Sequence, residues 1–348
     1  MNNFVFCVLF TRKLKKHLPL RERFASTIQF DLNIEPMLHP SMPNPICSIC
    51  QSENHRFYIR TAAMMHVGKL ETYTFNLCQN CESVFLTNPV PENQLGQYYT
   101  DAYLPYRGEK AWGKYANFVV WDDRKLNVRR AKMALMHLHQ KAEIDVLDIG
   151  CGKPDFLAQL AENKNIRTTG IDFTSAQWDD PKYKNLLLLE GDWRSIELNK
   201  QFDLITAWHY FEHDYDLKQT VEKCHQLLKP NGILLIEVPM YQGVLQKLQK
   251  NHWQGWHSPR HISLFSFKSW KMLFSENDWE IVKHRKHGSM SAFTLWWLGY
   301  QEKKNIDWSS SMEKHFWNLV FWKVLLMPLF ALERLVPMGI QTIVVRKK

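Results

Sequence analysis

The stretch VLDIGCGKPDFLAQL, residues 146–160, joins an apolar strand to an amphipathic helix through a glycine turn. Asp148 ends the predicted strand, and Gly150 and Gly152 form the turn. Glycine permits the close backbone approach that a ligand needs, and a helix start offers free N–H groups and a positive dipole end. Pro154 stands in the first turn of the helix, where its missing N–H would be unpaired anyway. The stretch therefore predicts a strand, turn and helix that together hold a ligand.

Apolar runs alternate with helical stretches from residue 144 onward. The predicted strands are IDVLDIG, IRTTGID, NLLLLEGD, FDLITAWH, GILLIEVP, WEIVKHRKHG and QTIVVRKK. Strands that alternate with helices predict a mostly parallel sheet covered by helices on both faces. The predicted fold class is therefore α/β, with a Rossmann-like sheet of seven strands.

Two further carboxylates end the second and third predicted strands. Asp172 in GIDFT lies about 20 residues beyond the glycine turn, where a carboxylate accepts hydrogen bonds from a ribose diol. Asp192 in EGDW precedes Trp193, which offers an aromatic plane suited to an adenine ring. The three strand ends together predict a nucleoside-containing ligand.

These motifs resemble the class I S-adenosylmethionine-dependent methyltransferases over residues ~144 to 348. FDLITAWHYFEHDYD is similar to the family's fourth strand and following loop, and LLKPNGILLIEVP to the approach to its fifth strand. The resemblance implies an S-adenosylmethionine site at Asp148, Gly150, Cys151, Gly152, Asp172, Phe173, Asp192 and Trp193. A nicotinamide-binding domain is the main alternative, but its fingerprint needs a third glycine where this chain has Asp155.

Four cysteines form two CxxC pairs that are 27 residues apart. They are Cys47, Cys50, Cys78 and Cys81. Two turn-borne pairs are typical of a structural zinc ribbon, in which four thiolates leave no open position on the ion. The alternative is that one pair is a redox dithiol, which leaves the second pair unexplained. We therefore expect a small N-terminal zinc module and bound structural zinc.

Histidines after the fourth and fifth strands are the candidates for acid–base chemistry. His209 and His213 lie in AWHYFEH, and His261 lies in HSPRHISLFS, within the insertion that shapes the acceptor pocket in similar methyltransferases. Histidine is the natural base near neutral pH, and a hydroxyl or carbon acceptor needs one. The alternative is that these side chains are structural partners.

The acceptor is less defined by the sequence. The chain of 348 residues has a formal charge of +9, which is compatible with nucleic acid, phosphorylated metabolites or an anionic membrane. The loop after the fourth predicted strand lacks the N/D-P-P-aromatic signature of nucleobase amino-methyltransferases. The basic residues are dispersed rather than interleaved with aromatics in the zinc module, so nucleic acid is not favoured. We expect a small-molecule or lipid-linked acceptor, with a sugar or quinone-like hydroxyl preferred over carbon. The alternatives are an RNA methyltransferase aided by the zinc module, and a non-catalytic scaffold.

The C-terminal stretch HFWNLVFWKVLLMPLFALERLVP is strongly apolar. Because QTIVVRKK must return to the sheet, a membrane-spanning helix is not expected here. Two interpretations stay open: a helix that packs on the domain or at a dimer contact, and an anchor that lies on a membrane through residues 316–334. We expect a cytoplasmic protein, and under the second interpretation one bound peripherally to the inner membrane face.

The expected division of the chain has four parts: an N-terminal tail (1–40), a zinc-ribbon module (41–90), a helical linker (91–140) and a methyltransferase domain (141–348). That domain includes an insertion between strands five and six and the C-terminal amphipathic helix. The order of a four-cysteine module, the segment QYYTDAY and a class I methyltransferase domain resembles bacterial methyltransferases with an N-terminal zinc-binding domain. The oligomeric state stays open.

Overall fold

A computed structural model describes residues 37–38, 45–66, 71–100, 102–138 and 142–348. The expected N-terminal tail lies outside the described residues, apart from Met37 and Leu38. The strands are β1 (Met37–Leu38), β2 (His55–Ala62), β3 (Glu71–Cys78), β4 (Val84–Leu86), β5 (Ile144–Ile149), β6 (Ile166–Asp172), β7 (Leu187–Glu190), β8 (Phe202–Trp208), β9 (Leu228–Pro239), β10 (Ser263–Leu264), β11 (Trp279–Arg285) and β12 (Ile340–Lys347). The α-helices are α1 (Leu104–Arg107), α2 (Ala116–Leu135), α3 (Asp155–Ala161), α4 (Leu217–Leu227), α5 (Val244–Gln249), α6 (Phe267–Leu273), α7 (Ala292–Lys303), α8 (Phe316–Leu325) and α9 (Met327–Phe330).

Seven strands form the larger sheet, in the order β11-β12-β9-β8-β5-β6-β7. All neighbours from β9 to β7 pair in parallel, and β12 runs antiparallel to both β9 and β11. The strand order reverses between β5 and β8, where a doubly wound sheet opens a crevice at the carboxyl ends of its strands. The predicted mostly parallel sheet of seven strands is confirmed.

Helices cover both faces of this sheet. On one face, Leu147 and Ile205 pack in a cluster with residues of α4 and α6. On the other face, Val146 and Leu204 pack in a cluster with residues of α2 and α3. Consecutive residues of a strand point to opposite faces, so strands buried on both sides are apolar throughout. This burial explains the unbroken apolar runs in the sequence.

A second sheet carries the cysteines and joins the larger domain. It has the order β1-β3-β4-β10, with β2 paired to β3. The strand β10 belongs to the segment between β9 and β11, and it pairs antiparallel with β4 through Ser263 and Phe85. The cysteine module therefore shares a sheet with the chain segment that carries His261.

The expected C-terminal helix is broken in the structure. Its parts α8 and α9 are separated at Leu326, and Pro328 in the first turn of α9 lacks the N–H that a continuous helix would bond to the Val324 carbonyl. Within the described residues no single helix has the length and apolarity to cross a membrane, while residues 312–325 and 327–334, bent by 62°, meet these criteria only as a pair. The final strand β12 returns to the larger sheet, as expected.

Side chains of α8, α9 and the following turn form an exposed apolar patch. Its members are Trp317, Phe321, Val324, Leu325, Met327, Leu329, Leu332 and Leu335. Trp317 is 68% exposed, and Phe316 is the buried residue of α8. Packing on the domain therefore covers other residues of this stretch, such as Phe316 and Phe330, and leaves these eight side chains exposed.

Candidate active site

The glycine turn lies between β5 and α3, as the sequence predicts. Gly150 and Gly152 have φ angles of +67° and +49°, which favour glycine. A Cβ atom on Gly150 would lie 2.7 Å from Cδ2 of Tyr210, whereas one on Gly152 would have no described atom within 4 Å. The turn thus presents open backbone beside Gly152. Pro154 immediately precedes α3, and its carbonyl accepts the Ala158 amide at 3.0 Å, so the helix start is intact.

Asp172 ties the end of β6 to this turn. Its Oδ2 accepts the Gly152 amide at 2.8 Å, and its Oδ1 accepts the Thr174 amide at 3.2 Å. Burial raises the pKa of this carboxyl, and the hydrogen bonds from the backbone oppose that shift. The amides of Gly150 and Cys151 both donate to the Ile171 carbonyl, at 2.8 and 3.0 Å. The turn is therefore preorganised by β6.

Asp148 is buried at the carboxyl end of β5. The Thr206 hydroxyl of the neighbouring strand β8 donates to its Oδ1 at 2.6 Å. Burial raises the pKa of Asp148 to about 7, although Thr206 and the charge of Arg130 oppose this shift. The carboxylate predicted for the methionine part of the cofactor thus lies beneath the glycine turn and costs free energy to ionise there.

The third strand end differs from the expectation. Trp193 is 2% exposed, and its indole N–H donates to Oγ1 of Thr220 at 3.2 Å. Its ring packs in the core, so the expected contact with an adenine ring does not hold. Asp192 stays partly exposed and accepts from the Arg194 side chain at 3.1 Å. Phe173, which follows Asp172, is 59% exposed and is the aromatic ring available at this edge.

The three predicted catalytic histidines lie together, around a fully buried carboxylate. We call His209, Glu212, His213 and His261 the histidine–carboxylate cluster. His209 directly follows β8, and Glu212 and His213 lie in the 3-10 turn after it. The Ile262 amide donates to the Glu212 carbonyl at 2.8 Å, which brings the distant His261 to the same place. Because β8 neighbours β5, the cluster lies at the edge of the sheet that carries the glycine turn.

His213 and His261 each have one nitrogen committed to the backbone. Nδ1 of His213 lies 3.0 Å from the Arg260 carbonyl, and Nδ1 of His261 lies 2.8 Å from the Gly255 carbonyl. A carbonyl only accepts, so each Nδ1 carries the proton and each Nε2 keeps its lone pair. Burial lowers the pKa of both imidazoles, which are therefore neutral at pH 7. Their rings lie 4.5 Å apart, edge to face.

His209 has a different state. Its Nδ1 lies 3.3 Å from Glu212 Oε1, and its Nε2 lies 3.4 Å from Glu237 Oε1. Burial by itself lowers its pKa, but the two carboxylates raise the pKa of His209 to about 9. Its φ of +57° is a strained conformation for a residue other than glycine, of the kind found at functional sites. His209 is thus a cation that links two carboxylates, and it lacks the free nitrogen that a base needs at neutral pH.

Sequence reasoning missed Glu237. This fully buried carboxylate near the end of β9 accepts the Ser289 hydroxyl at 2.8 Å and faces His209. Hydrogen bonding to His209 and Ser289 outweighs burial and lowers its pKa. Its place within the apolar run GILLIEVP marks it in the sequence, because a charged residue in a buried strand needs a partner.

Tyrosines of the predicted linker also reach the site. The ring of Tyr103 lies 5.5 Å from that of His257 and 4.6 Å from the guanidinium carbon of Arg260. The Gln177 side chain, from the loop after β6, donates to the Tyr106 carbonyl at 3.0 Å. The segment around α1 therefore extends from the loop after Asp172 to the histidines, and it covers the region between them.

The four predicted cysteine ligands are brought together. Their sulfur atoms all lie within 4.8 Å of one another, with Cys47 and Cys81 at 3.5 Å and Cys50 and Cys78 also at 3.5 Å. Tetrahedral zinc at about 2.3 Å from each sulfur needs sulfur–sulfur distances of roughly 3.8 Å. The donor set and its spacing fit a zinc ion.

Comparison with known proteins finds methyltransferases that are similar to this chain. A family model described as a methyltransferase domain matches residues 120–284. A probable S-adenosylmethionine-dependent methyltransferase of Mycolicibacterium smegmatis is 27% identical over 143 residues, or 39% of this chain and 52% of that protein. A demethylmenaquinone methyltransferase of Chlorobaculum tepidum is 29% identical over 131 residues, or 36% of this chain and 54% of that protein.

The chain thus spans about half the length of these two relatives. Among solved structures, coclaurine N-methyltransferase bound to N-methylheliamine and SAH aligns with a TM-score of 0.45 at 15% identity, over 64% of this chain and 70% of that one. The matched residues contain the glycine turn, Asp172 and the whole histidine–carboxylate cluster. Residues 120–284 of this chain thus match a methyltransferase domain and resemble S-adenosylmethionine-dependent methyltransferases.

Proposed function

We propose that the protein methylates a hydroxyl of a small-molecule or lipid-linked acceptor, with S-adenosylmethionine as the methyl donor. The observation that carries this proposal is the position of the histidine–carboxylate cluster. It lies beside the glycine turn, at the carboxyl edge of the sheet where ligands of such folds bind. A positioned acceptor and a group that removes its proton are what methyl transfer to a hydroxyl needs.

The cofactor residues are those at the three strand ends. S-adenosylmethionine supplies an electrophilic methyl group on a sulfonium. Asp148, Gly150, Cys151 and Gly152 hold its methionine part, and Asp172 accepts from the ribose. Phe173 and Asp192 are assigned to the adenine end, since Trp193 is buried in the core.

The cluster is assigned to the acceptor. As the acceptor oxygen bonds to the methyl carbon, the carbon–sulfur bond breaks and the hydroxyl proton must leave. His213 and His261 are the residues that we assign to this step, because each has a neutral ring with Nε2 available. The cationic His209 holds Glu212 and Glu237 in place. A ring hydroxyl such as that of a quinone precursor fits this chemistry. The name of the Chlorobaculum relative supports a quinone-like ring and does not specify the methylated atom.

A structural zinc ion completes the proposal. Cys47, Cys50, Cys78 and Cys81 would hold it in a closed site that takes no part in the reaction. Zinc would fix the two turns that carry these cysteine pairs.

The cofactor assignment is tested by calorimetric titration. We expect the wild-type protein to bind S-adenosylmethionine and not NAD. Asp172→Ala should weaken this binding at least about 100-fold, because it removes the acceptor for both the Gly152 amide and the ribose. Asp179→Ala is the matched control, since Asp179 is exposed in the following loop. Equal binding by both variants would remove Asp172 from the site.

Acceptor class is then read from transfer of a labelled methyl group. Reduced quinone precursors with short isoprenoid tails, a glycolipid and a structured RNA are offered in parallel. Label on an acceptor oxygen supports the proposal, whereas label on RNA alone favours the RNA methyltransferase alternative. The absence of both binding and transfer would favour a scaffold.

The apolar patch supports a lipid-linked acceptor. Tryptophans favour the headgroup level of a membrane. Trp121 of α2 is exposed, and the neighbouring Asp122 forms an ion pair with Lys323 of α8. Arg124 and Lys125 are exposed on the same part of α2. A monotopic contact with an anionic membrane, on its cytoplasmic side, would bring the site to its substrate.

Vesicle binding tests this contact. The Trp317→Glu/Phe321→Glu double variant should bind anionic phospholipid vesicles at least about 10-fold more weakly, because each ring loses ~2 kcal/mol of burial in the interface. Phe57→Glu is the control, because Phe57 is 60% exposed on β2, outside the patch. Co-sedimentation with vesicles measures the effect. If the wild type stays in the supernatant, the membrane contact is wrong.

A further inference from the structure

The histidine–carboxylate cluster contains a set of atoms suited to a metal ion. One ligand atom from each of Glu212, His213 and His261 lies within 4.8 Å of the others. Oε1 of Glu212 lies 3.9 Å from Nε2 of His261. An ion at about 2.0–2.2 Å from nitrogen and oxygen ligands needs ligand atoms separated by roughly 3–4 Å. The three side chains thus meet the spacing with small adjustments of their rotamers.

The surroundings prepare these side chains as ligands. Both histidines donate Nδ1–H to backbone carbonyls, of Arg260 and Gly255, and so direct Nε2 inward. Metal-binding histidines almost always have such a partner, because it fixes the tautomer and the ring orientation. His261 and Glu212 belong to separate segments that the Ile262 amide joins. Both imidazoles are therefore held with Nε2 available to a ligand.

An unpartnered atom points to what is missing. Glu212 is fully buried, and its Oε2 has no hydrogen-bond partner among the described residues. A buried carboxylate oxygen without a partner costs free energy, because no hydrogen bond offsets its removal from water. The nearby cations do not relieve it: His209 faces Oε1, and the guanidinium of Arg260 donates to the carbonyls of Tyr98 and Met64. A cation beside Oε2 would.

We infer that Glu212, His213 and His261 bind a divalent first-row transition ion, such as Zn²⁺, that holds the acceptor hydroxyl. Two imidazoles and one carboxylate suit these ions, whereas Mg²⁺ prefers oxygen ligands and keeps its water. Three protein ligands leave open positions for a substrate oxygen. The site is separate from the four-cysteine site, which is closed.

The ion's role in methyl transfer rests on the proposed function, while its binding does not. An acceptor hydroxyl on the ion becomes more acidic, and its proton passes to water. The oxygen then attacks the methyl carbon, the new carbon–oxygen bond forms, and the carbon–sulfur bond breaks. No change in the oxidation state of the ion is needed. In this form His213 and His261 promote deprotonation through the ion that they hold.

Cobalt substitution tests the site in the full-length protein. After removal of metal and reloading with Co²⁺, we expect two ions per chain by elemental analysis. The four-cysteine site contributes an intense thiolate-to-metal charge-transfer band, and the second ion contributes only weak visible bands. The Glu212→Gln/His261→Gln double variant should keep one ion and the full thiolate band. Glu222→Gln, exposed on α4, is the control and should keep two.

Several outcomes separate the inference from the proposed function. A wild-type protein that holds one ion, seen only through its thiolate band, overturns the metal site without reliance on any variant. A double variant that still holds two ions overturns the assignment of its ligands. Two ions without binding of S-adenosylmethionine would leave the metal site standing and refute the methyltransferase proposal. One ion with methyl transfer intact would refute the second metal site and leave the methyltransferase proposal standing.

Discussion

Replacing Cys78 and Cys81 by serine is expected to release the structural ion and to abolish methyl transfer. Structural zinc contributes on the order of 10 kcal/mol of binding free energy to small modules, which is folding free energy where no site exists in the unfolded chain. Cys47, Cys78 and Cys81 are buried and have little other core around them than Phe85. We expect the melting temperature to fall by at least about 10 °C.

The effect should extend to the active site because the cysteine module positions His261. The Ser266 hydroxyl donates to the Cys81 carbonyl at 2.8 Å, and the Leu86 amide donates to the Ile262 carbonyl at 2.9 Å. His261 directly precedes Ile262. The Ile262 carbonyl accepts from Leu86 of β4, and the Ile262 amide donates to the Glu212 carbonyl. Loss of the ion should therefore displace the histidine–carboxylate cluster, and it should reduce kcat more than it reduces affinity for S-adenosylmethionine.

Metal analysis, thermal unfolding and cofactor titration measure these effects together. Asn80→Ser is the matched control, because Asn80 is exposed in the same turn and leaves all four cysteines in place. Restoring zinc to chelator-treated wild-type protein should recover both stability and activity. If the double serine variant melts at the wild-type temperature and transfers methyl groups normally, the four cysteines do not form a structural metal site.

Local sequence patterns were sufficient for the sheet and the cysteine cluster. Strands buried on both faces leave long apolar runs, so all seven strands of the larger sheet were found. The glycine turn, Asp172 and the cysteine pairs were readable because their chemistry fixes short spacings along the chain. Each of these features is marked by a pattern that lies within one short stretch of the chain.

The composition of the site depends on residues far apart in the chain, whose pairing no local sequence pattern records. Trp193 follows an acidic residue at a strand end, yet its side chain points into the core, toward Thr220 of α4. Glu237 and His209 end neighbouring strands, and each alters the protonation of the other. The raised pKa of His209 depends on that pairing, so no pattern around His209 alone could distinguish a base from a structural cation.

Asp148→Asn is expected to stabilise the cofactor-free protein at pH 8 and to weaken its cofactor binding. Burial raises the pKa of Asp148 from 3.8 to about 7, so the folded state favours the neutral form. The stability that this preference gives is fully present below pH ~4 and is lost as the pH rises through 7. The loss is about 4 kcal/mol at 1.36 kcal/mol per pKa unit. Asparagine keeps an acceptor for Thr206 and carries no charge, so the variant avoids this loss.

Asp145, three residues earlier on β5, provides a control of opposite sign. Hydrogen bonds from Arg167 and Lys229 outweigh burial and lower its pKa to about 2. Its ionised form stabilises the fold above pH ~4, and this contribution is lost as the pH falls through 2. Asp145→Asn should therefore destabilise the protein at pH 8, by about 2 kcal/mol, where Asp148→Asn stabilises it.

Urea unfolding of the three cofactor-free proteins between pH 5 and 8 measures both effects. The free energies of unfolding of wild type and Asp148→Asn should diverge as the pH rises toward 7, and parallel profiles would show that Asp148 is not the buried group that titrates. Titration with S-adenosylmethionine at pH 8 then gives the functional half of the result. The cofactor is a cation, so its affinity should fall at least about 10-fold in the variant that has lost the carboxylate. An Asp148→Asn protein that is more stable and binds the cofactor more weakly would mean that the wild type accepts a buried, partly ionised carboxylate beneath the glycine turn because the cofactor needs its charge.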